Sequence, residues 1–293
     1  MSLPPPATLD ALTDVNLADL LDSAGLSRLH GTPFGRLLRP PARRFARVAH
    51  EFDRRVGAHG LSQGSAWLMA QMTAGLRTTG AEQVPAHGPV VILANHPGMT
   101  DTVALFSSLP HRPDLRVIAQ DRPFLRALPH VARQLIFLPG DASGRMAALR
   151  AGARHLQEGG ALLTFPAGEI EPDPAAFGLE RALASLESWS DSYRLFARLV
   201  PGTRFVPTLV SHVISPAAQR HPLTLLRRTP PNREKLAAAL QITLPRYRNG
   251  VARVRFGTSH LADREGLPQL GAGMAAQMRQ LLLAHDAEAA GCP

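Results

Sequence analysis

Val90-Val91-Ile92-Leu93-Ala94-Asn95-His96-Pro97-Gly98-Met99-Thr100-Asp101 is the stretch on which the reading of the chain turns. Its first five residues are an unbroken aliphatic run, the pattern of a strand covered on both faces. Asn95-His96-Pro97-Gly98 ends that run, because proline has no amide hydrogen for a ladder and glycine admits a sharp bend. Asp101 then stands where a helix opens, a place that favours a carboxylate able to bond free amides. A buried strand, a tight turn and a helix start form the repeating unit of an open α/β sheet. Such sheets hold ligands at the carboxyl ends of their strands.

The same texture continues outward. Residues 115–119, 135–138, 161–165 and 205–210 read as further strands, and 251–256 as the last one. Helical patterns fill 101–109, 122–133, 143–158 and 178–199, with a final helix near 268–286. The alternation predicts an α/β fold, a mixed and largely parallel sheet flanked by helices. Pro172, Pro174, Pro230 and Pro231 mark loops within this region, and no internal repeat is present.

Residues 1–80 differ from 81–293 and read as an N-terminal helical extension, basic and amphipathic. Over 41–57, Phe45, Val48, Phe52 and Val56 recur three and four apart, and Arg43, Arg44, Arg47, Arg54 and Arg55 fill much of the remainder. Residues 61–77 follow with Trp67, Leu68, Met72 and Leu76 at helical spacing. This pair suits either an interfacial membrane anchor or two helices packed on the following domain with solvated arginines.

At 293 residues with 45% hydrophobic side chains, the chain has enough apolar material for a substantial core. The net charge of +9 suits anionic lipid headgroups, an acidic carrier protein or a nucleotide cofactor. Nucleic acid is not expected, since no basic platform interleaved with aromatics is present. The single cysteine, Cys292, excludes an internal disulfide and a cysteine-based zinc site. Met1-Ser2-Leu3-Pro4-Pro5-Pro6 lacks the pattern of a secretory signal, and no window of the sequence is apolar enough to span a bilayer. The expectation is a cytoplasmic protein, peripheral on the inner face of the cell membrane.

His96 at a strand's carboxyl edge and Asp101 one turn later are placed to face each other. A carboxylate on one imidazole nitrogen fixes the tautomer and leaves the other nitrogen to accept a proton. Such a pair activates a hydroxyl or amine for attack on an acyl thioester. Asp101 as a plain helix cap and His96 as a satisfied strand-end histidine are the other readings of the same residues.

The segment resembles the glycerolipid acyltransferase family, which includes lysophosphatidic acid and glycerol-3-phosphate acyltransferases and carries an Asn-His-x-x-x-x-Asp motif. The resemblance continues in order through residues 85–258. Ala119-Gln120-Asp121-Arg122-Pro123-Phe124-Leu125 looks like the stretch between the first two motifs, and Leu135-Ile136-Phe137-Leu138 sits where the second begins. Phe165-Pro166-Ala167-Gly168-Glu169 is similar to the Phe-Pro-Glu-Gly block, and Val206-Pro207-Thr208 to the last motif. The resemblance implies His96 as general base and Asp101 as its orienting group. Asn95, Gly98, Arg122, Arg145, Phe165, Pro166, Gly168, Glu169 and Pro207 follow as substrate-binding candidates.

It further implies direct transfer from acyl coenzyme A or acyl carrier protein to a lipid or lipid-precursor acceptor. Backbone amides around Pro97 and Gly98, or at Gly168, are candidates to hold the oxyanion, and neither a metal nor a resident cofactor is implied. The chain departs from the pattern where the family grips an acceptor phosphate. Pro139-Gly140-Asp141 stands where the second motif ends in arginine, and Ala167 replaces a glutamate. Glu169, Glu171 and Asp173 follow Gly168, and three carboxylates there are expected to repel a phosphate dianion. An acceptor without a phosphate monoester is therefore expected, with 1-acylglycerol-3-phosphate and a non-catalytic lipid- or carrier-binding role as the alternatives.

Other patterns point elsewhere. Gly60-Leu61-Ser62-Gln63-Gly64 matches the serine-hydrolase elbow, but that motif needs a strand before the serine. Gly271-Ala272-Gly273-Met274-Ala275-Ala276 lacks the strand that precedes a dinucleotide loop. The histidines, among them His96, His111, His130, His155, His212 and His221, are scattered without the short spacing of metal ligands.

Overall fold

A computed structural model describes residues 8–290, apart from 24, 226–232, 234–235, 238–239, 242–243 and 263–266. Pro230, Pro231, Cys292 and the first six residues lie outside the described set. Helices α1 (Leu9–Ser23), α2 (Arg39–His59) and α3 (Leu61–Met72) precede the first strand, β1 (Gly75–Thr79). Then come β2 (Val90–Ala94), α4 (Met99–Ser108), β3 (Arg116–Gln120), β4 (Leu135–Leu138), α5 (Ala142–Gln157) and β5 (Ala161–Thr164). The chain continues through α6 (Leu179–Ser185), α7 (Arg194–Leu199), β6 (Arg204–Ser211), β7 (Val251–Phe256), β8 (His260–Leu261) and α8 (Leu270–Ala290).

The strands form one sheet in the order β1-β7-β6-β2-β5-β3-β4, with β8 also on β6. β6, β2, β5, β3 and β4 pair in parallel, so their carboxyl ends share one edge. β7 runs antiparallel to β6, and β1 runs parallel to β7. This is the mixed, largely parallel α/β sheet expected from the sequence.

Alternation along β2 explains why its apolar run is unbroken. Val90, Ile92 and Ala94 face a core built with Phe52, Val56, Leu68 and Met72 of the N-terminal helices and Leu105 of α4. Val91 and Leu93 face the other side, with Leu156, Leu162, Phe196, Phe205 and Met274. Both faces are covered, so no position on the strand tolerates a polar side chain.

α2 buries Ala42, Ala46, Ala49, Phe52, Asp53 and Val56, with Phe45 and Val48 half-buried beside them. The stripe lies one position off the face expected from the large side chains alone, because small alanines bring the backbone close. Asp53 accepts the amides of His130 and Val131, both at 2.9 Å, and so pins the helix to the turn Pro129–Ala132. Arg44, Arg47 and Arg54 stay exposed, and the Arg55 guanidinium lies over the Trp67 ring, 4.7 Å from its centre. The extension thus packs on the sheet domain through its apolar face.

Three expectations need correction. The helix read over 61–77 stops at Met72, and residues 75–79 are β1, paired with β7. Thr73 ends the helix in an extended conformation, and Leu76 belongs to the strand, so the change of texture placed at residue 80 falls after the first strand rather than before it. The helix over 122–133 is two short ones, Pro123–Arg126 and Pro129–Ala132, because Pro129 starts a new turn rather than continuing the old. The helix over 178–199 breaks between α6 and α7 into the single turns Leu186–Ser188 and Asp191–Tyr193.

Candidate active site

His96 leaves β2 at the shared carboxyl edge. Its Nδ1 lies 2.7 Å from Oδ2 of Asp101, whose side chain is 0% exposed, against 28% for His96. An ionised carboxylate only accepts, so Nδ1 carries the proton and Nε2 is the basic nitrogen of the ring. The same Oδ2 accepts the Gly98 amide at 2.9 Å, and Oδ1 accepts the Thr102 hydroxyl at 3.0 Å and the Thr102 amide. Capping the helix and orienting the imidazole are therefore not rival readings of Asp101, since one carboxylate makes both sets of contacts. The Phe165 ring stacks on the imidazole, with centroids 4.4 Å apart.

Glu171 grips His96 from the other side. Its Oε2 accepts the His96 amide at 3.0 Å, while its own amide donates to the His96 carbonyl at 2.8 Å. Its Oε1 accepts from Trp189 Nε1 at 2.8 Å and from the Ser185 hydroxyl at 3.2 Å. Burial pushes the Glu171 carboxyl up to about 7, against the hydrogen bonds that favour its charge. Burial also acts on His96, favouring the neutral ring. The charge and hydrogen bond of Asp101, with the charge of Glu171, outweigh it and hold His96 above the usual histidine value.

Asp173, fully buried, accepts the amides of His212, Val213 and Ile214 at 2.8 to 3.0 Å. It fixes the turn after β6, where His212 takes a φ of 60°. It also caps the short helix Pro174–Phe177 through the Ala175 amide at 3.0 Å. Of the three carboxylates after Gly168, only Glu169 is exposed. Asp173 is turned inward onto backbone amides, and Glu171 onto the His96 amide and the Trp189 and Ser185 side chains, so neither is presented to solvent as the sequence reading supposed.

The remaining sequence candidates separate into groups. Asn95 is buried with its amide tied to Val210, donating at 2.9 Å and accepting at 2.7 Å, so it clamps β2 to β6 rather than facing a ligand. Pro207 lies inside β6 opposite Leu93, its carbonyl accepting the Gly257 amide at 2.7 Å. Pro166 is buried and its carbonyl takes the Ser190 amide at 2.9 Å. The amides suggested for the oxyanion are already engaged, Gly98 with Asp101 and Gly168 with the Phe165 carbonyl at 3.0 Å. Gly168 has φ +69°, so its role in the turn is conformational, a backbone state that side chains resist.

Arg122 and Arg145 are exposed after β3 and β4, two and three strands from β2, or roughly 10 and 14 Å along the edge at the usual strand spacing. Both are bonded to neutral oxygens, Arg122 to the Gln120 side chain at 2.8 Å and Arg145 to the Gly140 carbonyl at 2.6 Å.

The other motifs dissolve in the structure. Ser62 lies in the first turn of α3 after another helix, with no strand before it, so the serine-hydrolase context is absent. Residues 271–276 are helical, inside α8. Among the described residues, no three His, Cys, Asp or Glu side chains converge in a way that could hold a metal ion.

Sequence reasoning overlooked Trp189 and Ser185 and misassigned Glu171. Only the pair Asp173-Pro174, a helix cap followed by proline at the first helical position, carried a readable local signal.

None of the curated proteins matches the sequence. Among solved structures, the chain is similar to the 1-acyl-sn-glycerophosphate (LPA) acyltransferase PlsC from Thermotoga maritima. The two share 13% identity over 93% of this chain and 96% of that one, with a TM-score of 0.44, a likeness too remote to carry substrate or mechanism across. The family model described as Acyltransferase matches residues 75–207, from β1 into β6, and so spans both the His96–Asp101 turn and the Phe165–Glu171 loop that closes on it. Residues 75–207 are thus an acyltransferase-family domain, and the protein is an enzyme that transfers acyl groups.

Proposed function

We propose that this enzyme moves a fatty acyl group from acyl coenzyme A or acyl carrier protein directly onto a hydroxyl or amine of a lipid precursor. The observation that carries this reading is the 2.7 Å contact of His96 Nδ1 with a fully buried Asp101 carboxylate. Nε2 takes the acceptor's proton as its oxygen or nitrogen bonds to the thioester carbonyl carbon. The tetrahedral intermediate then expels the thiolate, which takes the proton back from the imidazolium. Asp101 stabilises the imidazolium between the two steps. Glu171 holds the His96 backbone, and Phe165 limits rotation of the ring. Free thiol release with mixed acceptors tests the scheme; substantial turnover by His96→Ala protein refutes it.

For the acceptor, we favour one without a phosphate monoester, such as a neutral hydroxyl or a cationic amine. Support comes from Asp141, which caps α5 where the family carries an arginine, and from the exposed carboxylate of Glu169. Arg122 and Arg145, bonded only to neutral oxygens, favour 1-acylglycerol-3-phosphate as the second reading. Lipid mass spectrometry of cells with and without the gene decides between them. Loss of a phosphatidic acid species supports the second reading, and loss of a neutral or amino-acid-linked acyl lipid supports the first.

We place the enzyme on the cytoplasmic face of the membrane as a peripheral protein. No described helix is long and apolar enough to cross a bilayer, and the exposed arginines of α2 suit an anionic surface. Reduced flotation of Arg44→Gln/Arg47→Gln protein with phosphatidylglycerol vesicles is the expected result.

A further inference from the structure

The sheet edge opposite Arg122 and Arg145 carries a second concentration of positive charge. β1 and β7 pair with Arg77 opposite Arg253 and Thr79 opposite Arg255. β6 extends the rows, Ser211 opposite Arg253 and Leu209 opposite Arg255. Side chains alternate along a strand, and partners in register point the same way. Arg77, Arg253 and Arg255 therefore project from one face of the sheet. α8 supplies His285 and Glu288 beside them, and together these groups line a cavity of about 240 Å³.

The charge in this cavity is unbalanced. Arg255 pairs with Glu288. Among the described residues, no carboxylate lies within ion-pair distance of Arg77 or Arg253. Like charges set directly opposite each other on paired strands repel. Two neighbouring histidines register the field. Burial first, and then Arg253, push His212 down to about 4 and lower His285 as well. Their rings lie 5.2 Å apart, and Nε2 of the buried His285 has no hydrogen-bond partner. The fold has thus set three arginines around this space against one lining carboxylate, Glu288, which bonds Arg255 and also feels the charge of Arg253.

We propose that this cavity binds a phosphate monoester held between the guanidinium groups of Arg77 and Arg253. The planar fork of arginine fits two phosphate oxygens at once, and a dianion between the pair turns their repulsion into attraction. The volume is below the roughly 300–1,000 Å³ of pockets that enclose whole drug-sized ligands. It suits the phosphate and the first atoms of its ester. None of the residues lining the cavity belongs to the His96 centre, so the proposal does not depend on which acceptor that centre serves. The ester is either the headgroup of a membrane lipid or a soluble metabolite, and both present the same dianion.

Titration calorimetry of the full chain with inorganic phosphate and with glycerol 3-phosphate tests the site directly. Saturable binding is expected, weakened about ten-fold or more in Arg253→Gln and in Arg77→Gln, and unchanged in Arg47→Gln. Arg77 lies exposed on the edge strand, so Arg77→Gln keeps the test valid if Arg253→Gln does not fold. Flotation with phosphatidylcholine vesicles, with and without phosphatidic acid, separates the two sources. Flotation that requires both phosphatidic acid and Arg253 assigns a lipid headgroup, while soluble binding without that dependence assigns a metabolite. Absence of saturable binding to either soluble probe together with no Arg253-dependent flotation overturns the proposal. So does an equal loss of binding in Arg47→Gln.

Discussion

Replacing Asp101 with asparagine keeps the shape of the side chain and removes only its charge and half of its accepting capacity. The carboxylate accepts four hydrogen bonds, two at Oδ2 from His96 and the Gly98 amide, and two at Oδ1 from the amide and hydroxyl of Thr102. An asparagine amide cannot satisfy both sides. With its NH2 toward Thr102, the Thr102 amide loses its acceptor, although the hydroxyl can turn and accept. With its NH2 toward Oδ2's partners, the Gly98 amide is stranded and His96 must move its proton to Nε2.

Either way one buried donor is unsatisfied, at a cost of about 1–3 kcal/mol. For a large domain that lowers Tm by roughly 2–4 °C per kcal/mol. The catalytic loss depends on the orientation. With oxygen toward His96 the tautomer survives, but a neutral partner stabilises the imidazolium by about 1–2 kcal/mol less, roughly a ten-fold loss. With NH2 toward His96 the base itself is lost, and the decrease reaches about 10²–10⁴-fold. Each orientation strands one donor, so the population is mixed and the expected kcat/KM falls at least ten-fold. Thiol release as a function of pH measures both effects, because without Asp101 the acid limb moves toward lower pH. Folded Asp101→Asn protein within about two-fold of wild type, with an unmoved acid limb, refutes the reasoning.

Activity of the wild type is expected to rise with pH as His96 gives up its proton, with a midpoint above the usual histidine value of about 6.5; a pH–rate profile with its midpoint below that value contradicts the site electrostatics. Glu171→Gln removes one of the charges that raise His96, so the same profile is expected to shift its midpoint downward. Glu171 also links stability to pH. Between its unfolded value of 4.5 and its folded value of about 7, the folded chain holds a proton that the unfolded chain has released. Its contribution is present below the lower value and is lost as pH rises through the higher one, at most roughly 3 kcal/mol. Denaturant unfolding at both ends of that range is expected to show a smaller pH dependence in Glu171→Gln than in wild type. Asp53→Ala strands the amides of His130 and Val131 and is expected to cost roughly 1–3 kcal/mol in the same assay, with little change in kcat.

What could be read in the sequence, and what could not, follows from the range of the interactions. β2 was legible because burial on both faces forces every residue of the strand to be apolar. β1 was not, because Gly75-Leu76-Arg77-Thr78-Thr79 is a largely exposed edge abutting a helix, and polar edge strands carry no alternation to detect. His96 and Asp101 were legible because they lie five residues apart on one turn, within reach of local rules. The carboxylates after Gly168 were misjudged because a charge count says how many groups are present but not which way they face. Glu171 meets its His96 partner across 75 residues, Asp173 meets Val213 across 40, and Asn95 meets Val210 across 115. Each of these side chains satisfies backbone groups delivered by a distant strand end, and a local pattern cannot reveal a donor that only the finished sheet brings near. The same reasoning explains why Asn95 was taken for a ligand-binding residue. At the carboxyl edge of a parallel sheet, the loops must satisfy their own amides before any polar group is left for substrate. The base proposed here is a residue whose local partner already fixes it, His96 held by Asp101 five residues on.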